Sequence, residues 1–226
     1  MQVTRNQYDN ELEELRNMVL TMGSEADKAL DLAMQALTQR NVDLAEQVIQ
    51  NDDVLDQLDL DIESHCIRIL ALQQPIARDL RLVGTAMKIV TDLERIGDHS
   101  VDIAKVARKL AGSDGHGPLA DFPKMASEVR TMLHKSLEAF VKHDLSLVEE
   151  VVDADDKVDR MYRMIREDLH RTMQSSSSLV VEGSYLLFVA HYLERTADHS
   201  VNIAERVYFM ETGVLTQLAK SHKANS

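Results

Sequence analysis

Two stretches a hundred residues apart carry the side chains best suited to chemistry. Glu94, Asp98 and Asp102 recur every fourth residue, and Glu194, Asp198 and Asn202 repeat the spacing. In an α-helix each step of four advances about 40°, so each trio lies on one stripe roughly 80° wide. Two further pairs share the four-residue spacing, Asp52 with Asp56 and Asp155 with Asp159. Stacked like charges repel by about 0.2–0.5 kcal/mol per pair in an isolated helix, so stability alone gives no reason to build them. Facing helices with such pairs would present hard oxygen donors of the kind that hold Mg²⁺, Mn²⁺, Ca²⁺ or iron. A solvated acidic face gives the same pattern, with Arg95 as a ladder to Asp92, Asp98 and Asp102. Because the stripe and its companion pair occur twice, the metal reading stands level with that plainer one.

The neighbouring histidines fit less well. His99 and His199 follow the middle aspartates, and a helical neighbour points about 100° away. Both read as helix-surface residues or as residues supporting the ligands from behind, with His99 a fallback ligand through Asp102, three positions on. His191 precedes Glu194 by three, but Thr91 holds the matching place, so a shared role is not expected. Paired Glu-x-x-His motifs of the di-iron kind on the third and sixth helices, glycine-rich phosphate loops, a nucleophile elbow and a plausible catalytic Cys–His pair are all missing. The chain is therefore expected not to be an enzyme. A carboxylate-rich helical metalloenzyme and a helical bundle without a metal role remain the alternatives.

The elements that must position these residues are helices. Apolar residues recur at three- and four-residue spacing almost throughout. The first helix is expected over residues 6–40, and the second runs from the cap Asn41 to about Leu72. Pro75 falls in the first turn of a third helix that ends before the linker Gly112-Ser-Asp-Gly-His-Gly-Pro118. A fourth helix covers about 123–143, Asp144 caps a fifth, and the sixth spans about 179–210. The polar tail 211–226 is expected to fray. Residues 93–104 match residues 193–204 at nine of twelve positions. Earlier in each half the offset is 103, pairing Asn41 with Asp144, Asp52 with Asp155 and Asp56 with Asp159. The expectation is an all-α fold of two tandem three-helix bundles, residues 1–112 and 118–210, side by side about a pseudo-twofold axis.

Composition agrees. Hydrophobic residues make up 44%, enough for a core, while aromatics are only 4% and Gly and Pro number eight and three. Helix packing suits that mixture better than sheet. A net charge of −13 disfavours nucleic acid and anionic lipid and favours cations or basic partners. The single Cys66 fits a reducing compartment, and neither a secretory signal in the first ten residues nor a membrane-spanning run is evident, so a cytoplasmic location is expected. Arg81, Lys88 and Arg95, seven apart, make one basic strip on an acidic protein, and Arg81 and Lys88 are candidate partner contacts.

Three features together resemble the PhoU family, the accessory and regulatory proteins of bacterial phosphate-specific transport. They are Gln74-Pro-Ile-Ala-Arg-Asp-Leu-Arg81, the paired Leu93-Glu-Arg-Ile-Gly-Asp98 and Leu193-Glu-Arg-Thr-Ala-Asp198, and the two three-helix repeats over about residues 5–210. The resemblance implies metal clusters held through Glu/Asp-x-x-x-Asp motifs. One would use Glu94, Asp98 and Asp102 with Asp52 and Asp56. The other would use Glu194, Asp198 and Asn202 with Asp155 and Asp159. The ions would be Mn, Mg, Fe or Zn. Asn202 departs from the pattern, which implies less charge in the second cluster. The resemblance further implies a metal-binding regulatory adaptor, working as a homodimer. It would contact the ATPase subunit of the phosphate transporter and a membrane sensor kinase, restraining phosphate uptake and starvation signalling.

Overall fold

The computed structural model of the chain describes residues 2–112, 119 and 121–219. These form helices α1 (Gln2–Gln39), α2 (Val42–Gln50), α3 (Asp52–Gln73), α4 (Ala77–Leu110), α5 (Phe122–Lys142), α6 (Leu145–Ser175) and α7 (Val180–Thr212), with a 3₁₀ turn at Ser177–Leu179. The expected linker residues 113–118 lie outside the described residues.

Local chemistry accounts for the boundaries. The Asn41 side chain accepts from the Leu44 N–H, and Asp144 accepts from Ser146, so both expected caps form. The expected second helix is in fact two. Asn51, at φ −93° and ψ 8°, closes α2 by donating to the carbonyls of Gln47 and Val48, and α3 restarts at Asp52. The equivalent residue of the second repeat is Ala154, the best helix former, and α6 runs on unbroken. The third helix also starts later than expected. Gln74 turns left-handed at φ 47°, and Ile76, extended at φ −123°, precedes Ala77. Pro75 disfavours helical geometry in the residue before it, so it separates two helices and does not open one. Of the tail expected to fray, residues 220–226 lie outside the described residues. Gly213, at φ 75°, donates to the Phe209 carbonyl; the Leu218 N–H then reaches Glu205, and Ala219 is buried.

Around α4 pack α1, α2 and α3; around α7 pack α5 and α6; and α4 lies along α7. One continuous apolar core runs through both halves, with Leu15, Met22, Ile89, Leu93, Phe122 and Phe140 among its fully enclosed side chains. Each such side chain contributes about 1.5–3 kcal/mol of transfer free energy. The α4–α7 seam is antiparallel. Arg81 Nε donates to the Met210 carbonyl (2.8 Å), Thr85 Oγ to the Arg206 carbonyl (3.3 Å), and Asn202 Nδ2 to Asp92 Oδ1 (3.1 Å). With equivalent residues a hundred apart, the pseudo-twofold passes near Gly97 and Ala197. A Cβ on Gly97 would lie 2.4 Å from Leu55 Cδ1, so glycine there admits α3 close against α4.

Candidate metal centres

The α3 and α4 carboxylates do meet. Burial, then Asp56 and Asp98, push the Asp52 carboxyl above its usual range. Burial and Asp98 raise Glu94 in the same way, with Asp56 and Asp59 adding to it and Arg95 opposing. Asp59 was not among the expected residues. Its place seven after Asp52 was visible in the sequence, but it falls outside the four-residue spacing that selected the others. Asp98 accepts from Arg95 Nη1 at 2.8 Å.

The second cluster is tighter. Asp155 is 3% exposed, facing α7 from α6. Glu194 is half-buried, and one of its carboxyl oxygens, Oε2, is buried without a hydrogen-bond partner. His191 Nδ1 lies 3.3 Å from that oxygen but not in hydrogen-bonding geometry. Burial first, then Asp198, Asp159 and Asp155 against the opposing Arg195, push the Glu194 carboxyl up to about 7. Asp198 accepts from Arg195 Nη1 at 2.6 Å.

The third stripe positions go elsewhere. Asn202 binds Asp92, which also sits 2.9 Å from His199 Nδ1. Its pseudo-symmetric counterpart Asp102 binds the Tyr192 hydroxyl and, at 3.1 Å, Lys105. Two four-residue steps of about 40° each, about 80° from Glu94 and Glu194, turn these two side chains toward the α4–α7 seam. Asn202, expected to lower the charge of the second cluster, and Asp102 are thus both engaged with seam partners as the side chains lie. Asn202→Asp should instead set a second carboxylate against Asp92 and destabilise the seam by about 1–2 kcal/mol. Urea unfolding of the metal-free protein checks this, and an unchanged midpoint would refute it.

The histidines are seam residues too, contrary to their surface reading. His99 stacks on Tyr192 (ring centroids 5.6 Å) and approaches His199 (5.5 Å). Burial, then His199 and Arg195, lower its pKa to about 4, and its Nε2 is buried without a partner. The basic strip dissolves on inspection. Arg81 caps the C-terminus of α7 through Met210, Arg95 is exposed but paired with Glu94 and Asp98, and Lys88 is exposed.

As the side chains lie, no group of three or more His, Cys, Asp or Glu among the described residues is arranged to hold a metal ion. The donor chemistry nevertheless fits a hard cation. The Glu194 oxygen accepts no hydrogen bond and lies near Asp198, Asp159 and Asp155, and a cation there would offset their repulsion. Asp155, Asp159, Glu194 and Asp198 would hold one centre, and Asp52, Asp56, Glu94 and Asp98 the other, each ion tying one repeat's long helix to its neighbour.

Fold and clusters together define a duplicated helical protein whose two halves each present an acidic face between adjacent helices. The PhoU domain matches this chain twice, over residues 19–107 and 122–207. A phosphate-specific transport system accessory protein PhoU homolog of Clostridium acetobutylicum is 41% identical, aligning 93% of this chain with 97% of that protein. Its counterpart in Aquifex aeolicus is 38% identical over 82% of this chain and 84% of its own length. The crystal structure of PhoU from Pseudomonas aeruginosa superposes with a TM-score of 0.87 at 34% identity, covering 92% of this chain and all of that one. The chain belongs to the PhoU family.

Proposed function

We propose that this chain is a cytoplasmic, non-catalytic adaptor regulating phosphate uptake, and that divalent or iron-group cations load its two carboxylate clusters. The observation that carries the metal half is the Glu194 carboxylate, half-buried among acidic neighbours with one buried oxygen that accepts no hydrogen bond, at a place the duplication repeats as Glu94. Its relatives named as accessory proteins of phosphate-specific transport support the regulatory half. None of the described helices is long and apolar enough to cross a membrane. A chain of net charge −13 finds membrane-bound partners through their basic surfaces, by a steering that salt weakens. The ATPase subunit of the phosphate transporter and a sensor kinase are the partners this reading names. Lys88, exposed on that strip, is the clean probe for a charge-dependent contact, because Arg81 is engaged with Met210 and Arg95 with Glu94 and Asp98.

The decisive experiment pairs two measurements on protein purified without chelator or histidine tag. Elemental analysis should find metal bound near stoichiometrically. Low-salt capture from phosphate-replete cells should retain the transporter ATPase or the kinase. Metal-free protein whose melting ignores added Mn²⁺ would remove the metal half, and capture of neither partner would remove the adaptor half. Sustained phosphoester or oxygen turnover with Mn²⁺ or Fe²⁺ would replace both with an enzyme.

A further inference from the structure

The pseudo-twofold creates two equivalent clefts along the α4–α7 seam, and they have diverged in chemistry. One, of about 260 Å³, is lined by Lys88, Thr91, Asp92, Asn202, Glu205 and Arg206. The other, of about 680 Å³, has Tyr185, Phe188 and Tyr192 on α7 facing Lys105, Arg108 and Lys109 on α4, with Asp102 between. Moving a hundred residues along the chain converts the three aromatics to Thr85, Lys88 and Asp92, and the three cations to Glu205, Tyr208 and Phe209. The duplication alone therefore does not explain the larger cleft. Its volume lies in the range of small-molecule sites.

The two walls and the carboxylate offer three different chemistries. Tyr185, Phe188 and Tyr192 follow one another at three and four residues, so one face of α7 presents all three rings. Phe188 is 53% exposed and stacks on Tyr192 with ring centroids 6.5 Å apart, leaving a large apolar face open to solvent. An acidic protein of net charge −13 here collects three cations on one helix face. Lys105 rests on Asp102 at 3.1 Å, Arg108 on Glu46 at 2.9 Å, and the Lys109 ammonium lies 5.1 Å from the centre of the Tyr185 ring. Both ion pairs are exposed and cost little to exchange for a more highly charged anion. Asp102, in the lining and already accepting from the Tyr192 hydroxyl and Lys105, would repel a simple anion but can accept further hydroxyl donors, as carboxylates do from a ribose.

The geometry points to a nucleoside polyphosphate as the occupant of this cleft, its base against the Phe188–Tyr192 wall, its ribose hydroxyls toward Asp102 and its phosphates on Lys105, Arg108 and Lys109. An acidic peptide would use the cations but would find a carboxylate where it needs another donor. Stacking on aromatics is tolerant of base identity, so the class is set by ring, sugar and phosphate together. Side chains alone would bind the phosphates, which makes this a site for sensing a nucleotide and not for cleaving it.

The test is calorimetric titration of the whole chain with ATP in chelator, which removes any route through the carboxylate clusters. Saturable one-to-one binding is expected, weakened tenfold or more by Phe188→Ala and by Lys109→Glu. Lys88→Glu, in the sister cleft, should leave it unchanged. Both altered positions are exposed, and melting curves confirm that each variant folds. Adenosine and tripolyphosphate should each bind at least tenfold more weakly than ATP. The inference is overturned if ATP fails to saturate at millimolar concentration, or if Phe188→Ala and Lys109→Glu bind it as wild type does. It is equally overturned if tripolyphosphate matches ATP, or if only an acidic peptide occupies the cleft.

Discussion

Glu194→Gln combined with Asp198→Asn should lower divalent-cation affinity at the second cluster by about 10–100-fold, and should stabilise the metal-free protein. The affinity loss follows from removing two of the four carboxylates that would hold that centre. The gain in stability follows from the same charges, because burial and three acidic neighbours hold the Glu194 carboxyl at about 7 against an ordinary 4.5. A carboxyl whose folded pKa is raised binds more protons folded than unfolded. Its contribution to stability is present below 4.5 and is lost as pH rises through 7. After solvent screening the loss is about 1–2 kcal/mol. His99 acts in the opposite sense. Its pKa is lowered to about 4 from 6.5, so its contribution is present above 6.5 and is lost as pH falls through 4. In wild type the two partly cancel between pH 4.5 and 6.5. Glu194→Gln alone should therefore uncover a stability that climbs with pH across that window. Urea midpoints from pH 4.5 to 8 in chelator, with titration of Mn²⁺ at pH 8, measure both effects. Unchanged Mn²⁺ affinity would remove Glu194 and Asp198 as ligands, and parallel pH profiles would show that Glu194 titrates normally.

The largest purely structural effect is expected at Arg40→Met. Arg40 occupies the turn between α1 and α2 at φ 51°. From there its guanidinium donates to the Leu110 carbonyl at the end of α4 and to Glu182 Oε1 at the start of α7, each at 2.8 Å. Glu182 is 4% exposed while the Arg40 side chain keeps some exposure, so the pair is a part-buried cross-link between the two repeats with its carboxylate enclosed. Removing the cation from a buried ion pair costs about 2–4 kcal/mol, because the carboxylate keeps its desolvation penalty when the charge beside it is lost. Arg40→Met should lower the urea midpoint accordingly without changing the slope of the transition, and Arg40→Met with Glu182→Leu should recover part of the loss. A cost under about 0.5 kcal/mol for the single substitution would show that the cross-link does not couple the repeats.

Much of this protein is decided by short-range pattern. The three- and four-residue recurrence of apolar side chains, the caps Asn41 and Asp144, and the near-identity of residues 93–104 and 193–204 give helices, repeats and pseudo-symmetry without any tertiary information. Four-residue spacing shows which residues share a face; the grouping of Asp52 and Asp56 with Glu94 and Asp98, and of Asp155 and Asp159 with Glu194 and Asp198, comes from the family resemblance and not from spacing. What sequence spacing cannot supply is the angle at which a face stops serving one neighbour and starts serving the next. Glu94 and Asp102 differ by only about 80° on α4. Packing turns that difference into two sites, because α3 lies on one side and α7 on the other, and so Asp102 and Asn202 belong to the seam. His99, His199 and Asp92 join them there because α4 and α7 run antiparallel about the pseudo-twofold. Arg40 and Glu182 meet across 142 positions of chain, and the aromatic and cationic walls of the larger cleft come from different repeats. Such contacts follow from how helices are placed against each other, and that placement is set by the whole core and not by the residues that happen to touch.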